Sequence, residues 1–150
     1  MTTPTDQLRT LTDHTEITGL IDRFFRALDE RGLDLPWGRS MFTDDVRATF
    51  PIGKHQGLEA VVTALADGMS RFGPTQHSGS NYLIDVDGDR ATVRWNAIQT
   101  HLPPGETPVA EPFVSGGYYD GELIRTEDGW RFRRQTYHLV WTTGRLPQGT

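Results

Sequence analysis

At 150 residues and 35 % hydrophobic, the chain has the size of one domain with a modest core. It contains no cysteine, which excludes disulfides, zinc ribbons, iron–sulfur clusters and thiol nucleophiles. The net charge of −5, without any basic run, argues against a nucleic-acid partner, and no stretch approaches the ~20 apolar residues of a membrane span.

The first ten residues are polar and lack an apolar signal core, so a cytoplasmic protein is expected, with frayed ends at 1–7 and 146–150. The spacing of Ile17, Leu20, Ile21, Phe24, Phe25 and Leu28 predicts a helix over residues 13–29 with one apolar stripe. Asp13 followed by Glu16 reads as its capping box, and Gly32 as its end. A short helical turn follows from Pro36 through Met41, then a strand over 46–50. Leu58, Val61, Val62, Leu65, Ala66 and Met69 repeat the helical spacing until Gly73-Pro74 stops it. After Pro74 the period changes to two, with strands expected over 76–86, 91–102, 113–125 and 130–142. Asp87-Gly88, a Pro-rich loop over 103–112 and Asp128-Gly129 connect them. Helices first and long hairpin-linked strands afterwards define an α+β class with a mostly antiparallel sheet. Gly116-Gly117 marks a bulge or bend, so the sheet should curve into a cone around an interior pocket. No repeat or internal boundary appears, and residues 1–150 read as a single domain with its core over about 8–143.

Three residues stand out as candidates for acid–base chemistry. Asp29 sits beside Phe25 on the edge of the helical stripe, at the helix's negative end, where a carboxylate is costly unless a cation or imidazole answers it. Strand alternation groups His77 with Gly79, Asn81 and Leu83, which leaves room around the imidazole. His101 shares the apolar face of Val93, Trp95, Ala97 and Gln99 and points inward. An inward Asp with two inward His is the smallest set able to abstract one proton and deliver another. No two of the three have short ligand spacing, which speaks against a metal site. His14 and His55 read as solvated, and His138 falls on the face of Phe132 and Val140 as a candidate core residue.

The runs IDRFFRALDERG, MFTDDVRATFP, TQHSGSNYLIDVDGDRATVRW and GGYYDGELIRTEDGWRFRR resemble the SnoaL-like family, within the superfamily of scytalone dehydratase, bile-acid 7α-dehydratase and nuclear transport factor 2. That resemblance implies a cone of helices against a curved sheet, assembly as a homodimer or homotrimer, and no cofactor. It also implies catalytic roles for Asp29, His77 and His101, which match the Asp and two His of scytalone dehydratase. The tyrosines that hold the substrate carbonyl in that enzyme correspond to Leu28 and Phe50 here, and the helix Tyr of the bile-acid enzyme to Phe24. Polar residues of the scytalone pocket fall near Tyr118 and Asp120.

The expected function is therefore a cofactor-free lyase or isomerase of the dehydratase type, acting on a small, hydrophobic, hydroxylated or ring-containing metabolite. Phe24, Phe50 and Trp95 would shape the apolar wall, with Asn81, Tyr118, Asp120 and Tyr137 as polar contacts. The alternatives are a cyclase working by aldol closure or epoxide opening, and a non-catalytic binding or subunit module.

Overall fold

In the computed structural model, which describes residues 1–105 and 111–147, the first helix α1 runs Pro4–Glu30, starting well upstream of its apolar stripe. The capping box belongs to Thr3 and Asp6: the Thr3 hydroxyl accepts the Asp6 amide at 3.1 Å, and Asp6 accepts the Thr3 amide at 3.0 Å. Asp13 is instead one turn above Ile17 on the buried stripe. There it accepts two bonds from the Arg125 guanidinium, at 2.7 and 2.9 Å, and one from the Trp130 indole at 3.1 Å. Ile17, Leu20, Ile21, Phe24, Phe25 and Leu28 are all buried, as their spacing requires.

Asp34 caps the short helix α2, Leu35–Met41, which leads directly into β1, Phe42–Phe50. A hairpin turns β1 back on β2, Gly53–Gln56, a strand that the polar run Lys54-His55-Gln56 gives no pattern for. His55 is on β2 and not in a solvated loop: its Nε2 is buried without a partner among the described residues. Helix α3, Leu58–Met69, follows, then β3 (Thr75–Asp87), β4 (Arg90–His101), β5 (Phe113–Thr126) and β6 (Gly129–Thr143). Of the expected loop at 103–112, residues 106–110 lie outside the described residues, as do 148–150 of the expected frayed tail.

The strands form one six-stranded sheet in the order β2-β1-β6-β5-β4-β3. Among the described residues only the β1–β6 pairing is parallel; the rest are antiparallel. The sheet is not closed, so the cone is open, with β2 and β3 as its free edges. Its inner face packs on α1 through Phe24, Phe25, Trp95, Tyr119 and Phe132. Among the described residues no helix is long and apolar enough to cross a membrane.

Two irregularities decide which side chains face inward. Asn81 takes φ 57° where the β3–β4 register slips between Ser80 and Leu83. Left-handed backbone is tolerated by Asn more readily than by most residues, and one extra residue reverses every face beyond it. Tyr82, Ile84 and Val86 therefore pack on the core, while Asn81 and Leu83 are exposed. In β6, Arg133 and Val140 have no register partner on β5. The first of these slips turns His138 to the outer face, away from Phe132.

Candidate active site

The end of α1 is what positions Asp29. Arg31 closes the helix in the left-handed region at φ 68°, and its guanidinium donates to the Leu28 carbonyl, the Thr75 hydroxyl at 3.0 Å and the Gly73 carbonyl at 2.7 Å. A cation on the last carbonyls suits the negative end of the helix dipole, and these bonds offset the roughly 1–2 kcal/mol cost of a left-handed non-glycine residue. The helix end is thereby tied to the start of β3. Asp29 then lies over Thr75 and His77. Its Oδ1 accepts the Thr75 hydroxyl at 2.9 Å and His77 Nδ1 at 2.6 Å, and its Oδ2 accepts the His77 backbone amide at 3.2 Å. The imidazole that a carboxylate needs at this position is His77. With the carboxylate on Nδ1, the neutral ring carries its proton there and leaves the Nε2 lone pair free.

His101, at the end of β4, is 5 % exposed and donates Nδ1–H to the Phe113 carbonyl at 3.1 Å. Its ring lies 4.3 Å from that of Phe72 and stands nearly perpendicular to His77, with centroids 5.6 Å apart. Among the described residues neither histidine Nε2 has a hydrogen-bond partner. Burial pushes the His77 imidazole below its usual range, against the pull of the Asp29 carboxylate. Burial also lowers His101, to about 4, with the charges of His77 and Arg31 adding to the shift and the Phe113 carbonyl opposing it. Both rings are neutral at pH 7. A cleft of about 280 Å³ between α1 and β3 reaches Asp29 and His77, with Asp22, Phe25 and Arg26 on one side and Gln76 and Gly79 on the other.

The remaining sequence candidates divide. Phe24 and Trp95 are fully buried inside the cone, Tyr137 is 7 % exposed, and Phe50 is partly buried at the margin of the same core. Asn81, Tyr118 and Asp120 are not in the interior, which corrects their expected place as polar contacts. Asn81 is the exposed residue of the β3 bulge. Tyr118 and Asp120 occupy the outer face of β5, where Tyr118 is clamped between Arg94 and His138 and Asp120 bonds Arg134 and His138. The alternation Ser115, Gly117, Tyr119, Gly121, Leu123 faces inward instead. Sequence reasoning did not single out Arg31 or Thr75, although a basic residue just past a helix end is a recognisable C-terminal signal. It placed Gln99 on the inward face but did not single out Ser115, which is buried there as well. Among the described residues no cluster of three or more His, Asp or Glu could hold a metal ion.

An open α+β cone with a carboxylate–imidazole pair where the first helix meets the sheet edge defines the class of fold. The chain belongs to the SnoaL-like domain family, which it matches over residues 9–136. An uncharacterized protein of Mycobacterium tuberculosis is 28 % identical over 127 residues, covering 83 % of this chain and 84 % of that one. A crystal structure from Novosphingobium aromaticivorans, provisionally named a scytalone dehydratase, superimposes with a TM-score of 0.77 at 23 % identity, covering 89 % and 88 % of the two chains. The hexachlorocyclohexane dehydrochlorinase LinA-type3 of Novosphingobium barchaimii superimposes with a TM-score of 0.76 at 20 % identity, covering 91 % and 92 %. These two likenesses show the fold, and with it the cone-shaped architecture that the sequence predicts.

Proposed function

We propose that the chain is a cofactor-free lyase or isomerase of the dehydratase type, with His77 as its base. The observation that carries this reading is the 2.6 Å contact of Asp29 with His77 Nδ1, which leaves Nε2 unpartnered beside His101. In this reading Asp29 fixes the tautomer and stabilises the imidazolium that forms when Nε2 takes a proton from carbon. The same His77 proton then goes to the departing hydroxyl, which leaves as water. His101, read from the sequence as the group that protonates the departing hydroxyl or stabilises a developing oxyanion, is lowered to about 4 and so is an acceptor at neutral pH. It would receive the hydrogen bond of the substrate hydroxyl and orient it toward His77. Phe24, Phe50, Trp95 and Tyr137 give the interior an aromatic character that suits a small hydrophobic or ring-containing metabolite. Related folds carry names from water and hydrogen chloride elimination, which agrees with base-initiated chemistry. A homodimer or homotrimer in the cytoplasm remains part of the proposal.

The test is a screen of hydroxylated cyclic ketones and related compounds for loss of water, comparing the native chain with His77→Ala. Turnover by the native chain and none by a folded His77→Ala supports the reading; turnover by both at similar rates removes His77 from the mechanism. The same product analysis separates dehydration from ring closure. A second reading, a binding or subunit module, has its own observation: Ile98, Leu139, Val140 and Trp141 are exposed on the late part of the sheet. It predicts no turnover at all and a stable complex with a partner chain.

A further inference from the structure

A helix that closes on one left-handed residue commonly has glycine there, because a Cβ is disfavoured in that conformation. In α1 the left-handed position is Arg31, at φ 68°, and the glycine comes one residue later. At Gly32 a Cβ would meet nothing within 4 Å, so glycine stands where it is not needed and arginine where it is. What the position retains is the arginine side chain. Its guanidinium is half-buried against the start of β3 and donates only to uncharged oxygens. These are the Leu28 carbonyl, the Gly73 carbonyl at 2.7 Å and the Thr75 hydroxyl at 3.0 Å. Among the described residues no carboxylate forms an ion pair with it. Charges withdrawn from water are ordinarily paired, so a cation left unpaired beside a candidate site calls for a reason.

Thr75 joins that cation to the acid–base pair. A guanidinium can only donate, so the Thr75 oxygen accepts from Arg31 and its own proton goes to Asp29 Oδ1 at 2.9 Å. The same Oδ1 receives His77 Nδ1–H at 2.6 Å, and Oδ2 receives the His77 amide at 3.2 Å. The bonds thus run in one direction, from Arg31 to Thr75 to Asp29, with His77 donating from the other side. Bonds in series polarise one another, so the cation at the head strengthens the hold of the hydroxyl on the carboxylate. Thr75 lies two residues before His77 and directly opposite His101 in the β3–β4 register, which sets the Arg31 charge beside both rings. The charged groups that act on His77 are Asp29 and Arg31, and His101 meets the same two together with His77. Burial is the main cause that lowers both imidazoles, and Arg31 adds to it in each, against the pull of Asp29.

We infer that Arg31 and Thr75 are positioning residues of the acid–base pair: the hydroxyl they share locks Asp29 onto His77 Nδ1, and the unpaired guanidinium keeps both histidine rings in their neutral, proton-accepting form. This rests on the reading of His77 as base. Three donors on the Asp29 carboxylate hold it ionised and fixed in place, so the ring keeps its proton on Nδ1 and presents the Nε2 lone pair. The cation also makes the imidazolium a poor resting state, so a proton taken by His77 is held weakly and passed on. Asp29 and Arg31 therefore act on the ring in opposite senses, one supporting the proton and the other repelling it.

The test is an NMR titration of the histidine ring nitrogens in the nitrogen-15-labelled full chain, which needs no substrate. Replacing each histidine in turn, as His77→Gln and His101→Phe, assigns the two signals. In the native chain His77 should carry its proton on Nδ1 at pH 7. In Arg31→Gln, which removes the charge, both rings should titrate at higher pH than in the native chain. Arg31→Lys restores the charge and should bring both back toward their native titration, a rescue that a purely structural helix cap would not produce. Thr75→Val keeps the charge but breaks the series of bonds, so His77 should populate both tautomers. That variant keeps the inference testable if Arg31→Gln does not fold. Unchanged titration of both histidines in a folded Arg31→Gln chain overturns the inference, as do equal shifts in Arg31→Gln and Arg31→Lys, or a native tautomer in folded Thr75→Val. An Nε2–H tautomer in the native chain defeats the base reading itself, and the inference with it, which distinguishes the two failures.

Discussion

Replacing Asp29 by Asn removes one charge while keeping the shape of the side chain, and the consequence can be worked out at His77. Burial lowers the His77 imidazole, and the Asp29 bond at 2.6 Å is what opposes that shift. A hydrogen bond to a charged group contributes about 1.5–3 kcal/mol. Solvent does little to screen the pair on the histidine side, whose side chain is 2 % exposed. In Asp29→Asn the His77 imidazole should therefore be pushed further below its usual range, because burial is then left unopposed. An NMR titration of the histidine ring signals measures this directly. A weaker base whose imidazolium lacks its counter-charge should also lower turnover by about 10²–10⁴-fold. An unchanged or raised His77 pKa in Asp29→Asn would refute the argument that the carboxylate supports the base.

Folding stability should fall in acid because of His101. Its folded pKa, about 4, lies below the ordinary value of 6.5, so its contribution is complete above pH 6.5 and is lost as pH drops toward 4. The loss is up to about 3 kcal/mol, read from urea midpoints at pH 7 and pH 4.5, and His101→Phe should remove much of that pH dependence. Asp13→Ala should cost about 2 kcal/mol in the same assay, since it leaves the Trp130 indole N–H buried without an acceptor and the Arg125 guanidinium with Asp89 as its remaining carboxylate. An Asp13→Ala chain within 0.5 kcal/mol of the native one, on the order of an ordinary surface substitution, would show that the pair is idle. Gly117→Ala should destabilise by at least about 2 kcal/mol, because its Cβ would be driven into the His138 carbonyl and against the Tyr137 ring.

The helices and the four long strands were legible because their apolar residues keep one period over most of each element. The stripe from Ile17 to Leu28 and the face from Val93 to His101 are where their spacing puts them. Misreadings begin where that period is broken by a single residue. Asn81 shifts β3 by one, so Asn81 and Tyr82 exchanged their expected faces while His77, before the bulge, kept its own. Arg133 does the same in β6 and carries His138 outside. Tyr118 and Asp120 were placed by resemblance, whereas the inner face of β5 is disguised by Gly117 and Gly121, which carry no side chain to mark it. Asp13 looked like a cap because it precedes the apolar run, yet a carboxylate on the stripe itself is equally a buried ion-pair partner. The pairing of Asp29 with His77 was readable as chemistry, from a charge that needed an answer, and from the family resemblance.

The strand order has a consequence for how the protein is made. β6 is the last strand to be synthesised, yet it sits between β1 and β5 in the interior of the sheet. Asp29 and His77 can meet as soon as α1 and β3 have left the ribosome. The sheet itself cannot be completed until residues 129–143 emerge, and before then β1 and β5 each present an unpaired edge. Parallel pairing of β1 with a strand so distant in sequence places folding toward the slow end for a domain of this size, roughly milliseconds to seconds. A nascent or truncated chain lacking β6 would therefore be a sticky species with two additional open edges, so completion of the fold has to wait until β6 is available to pair with both.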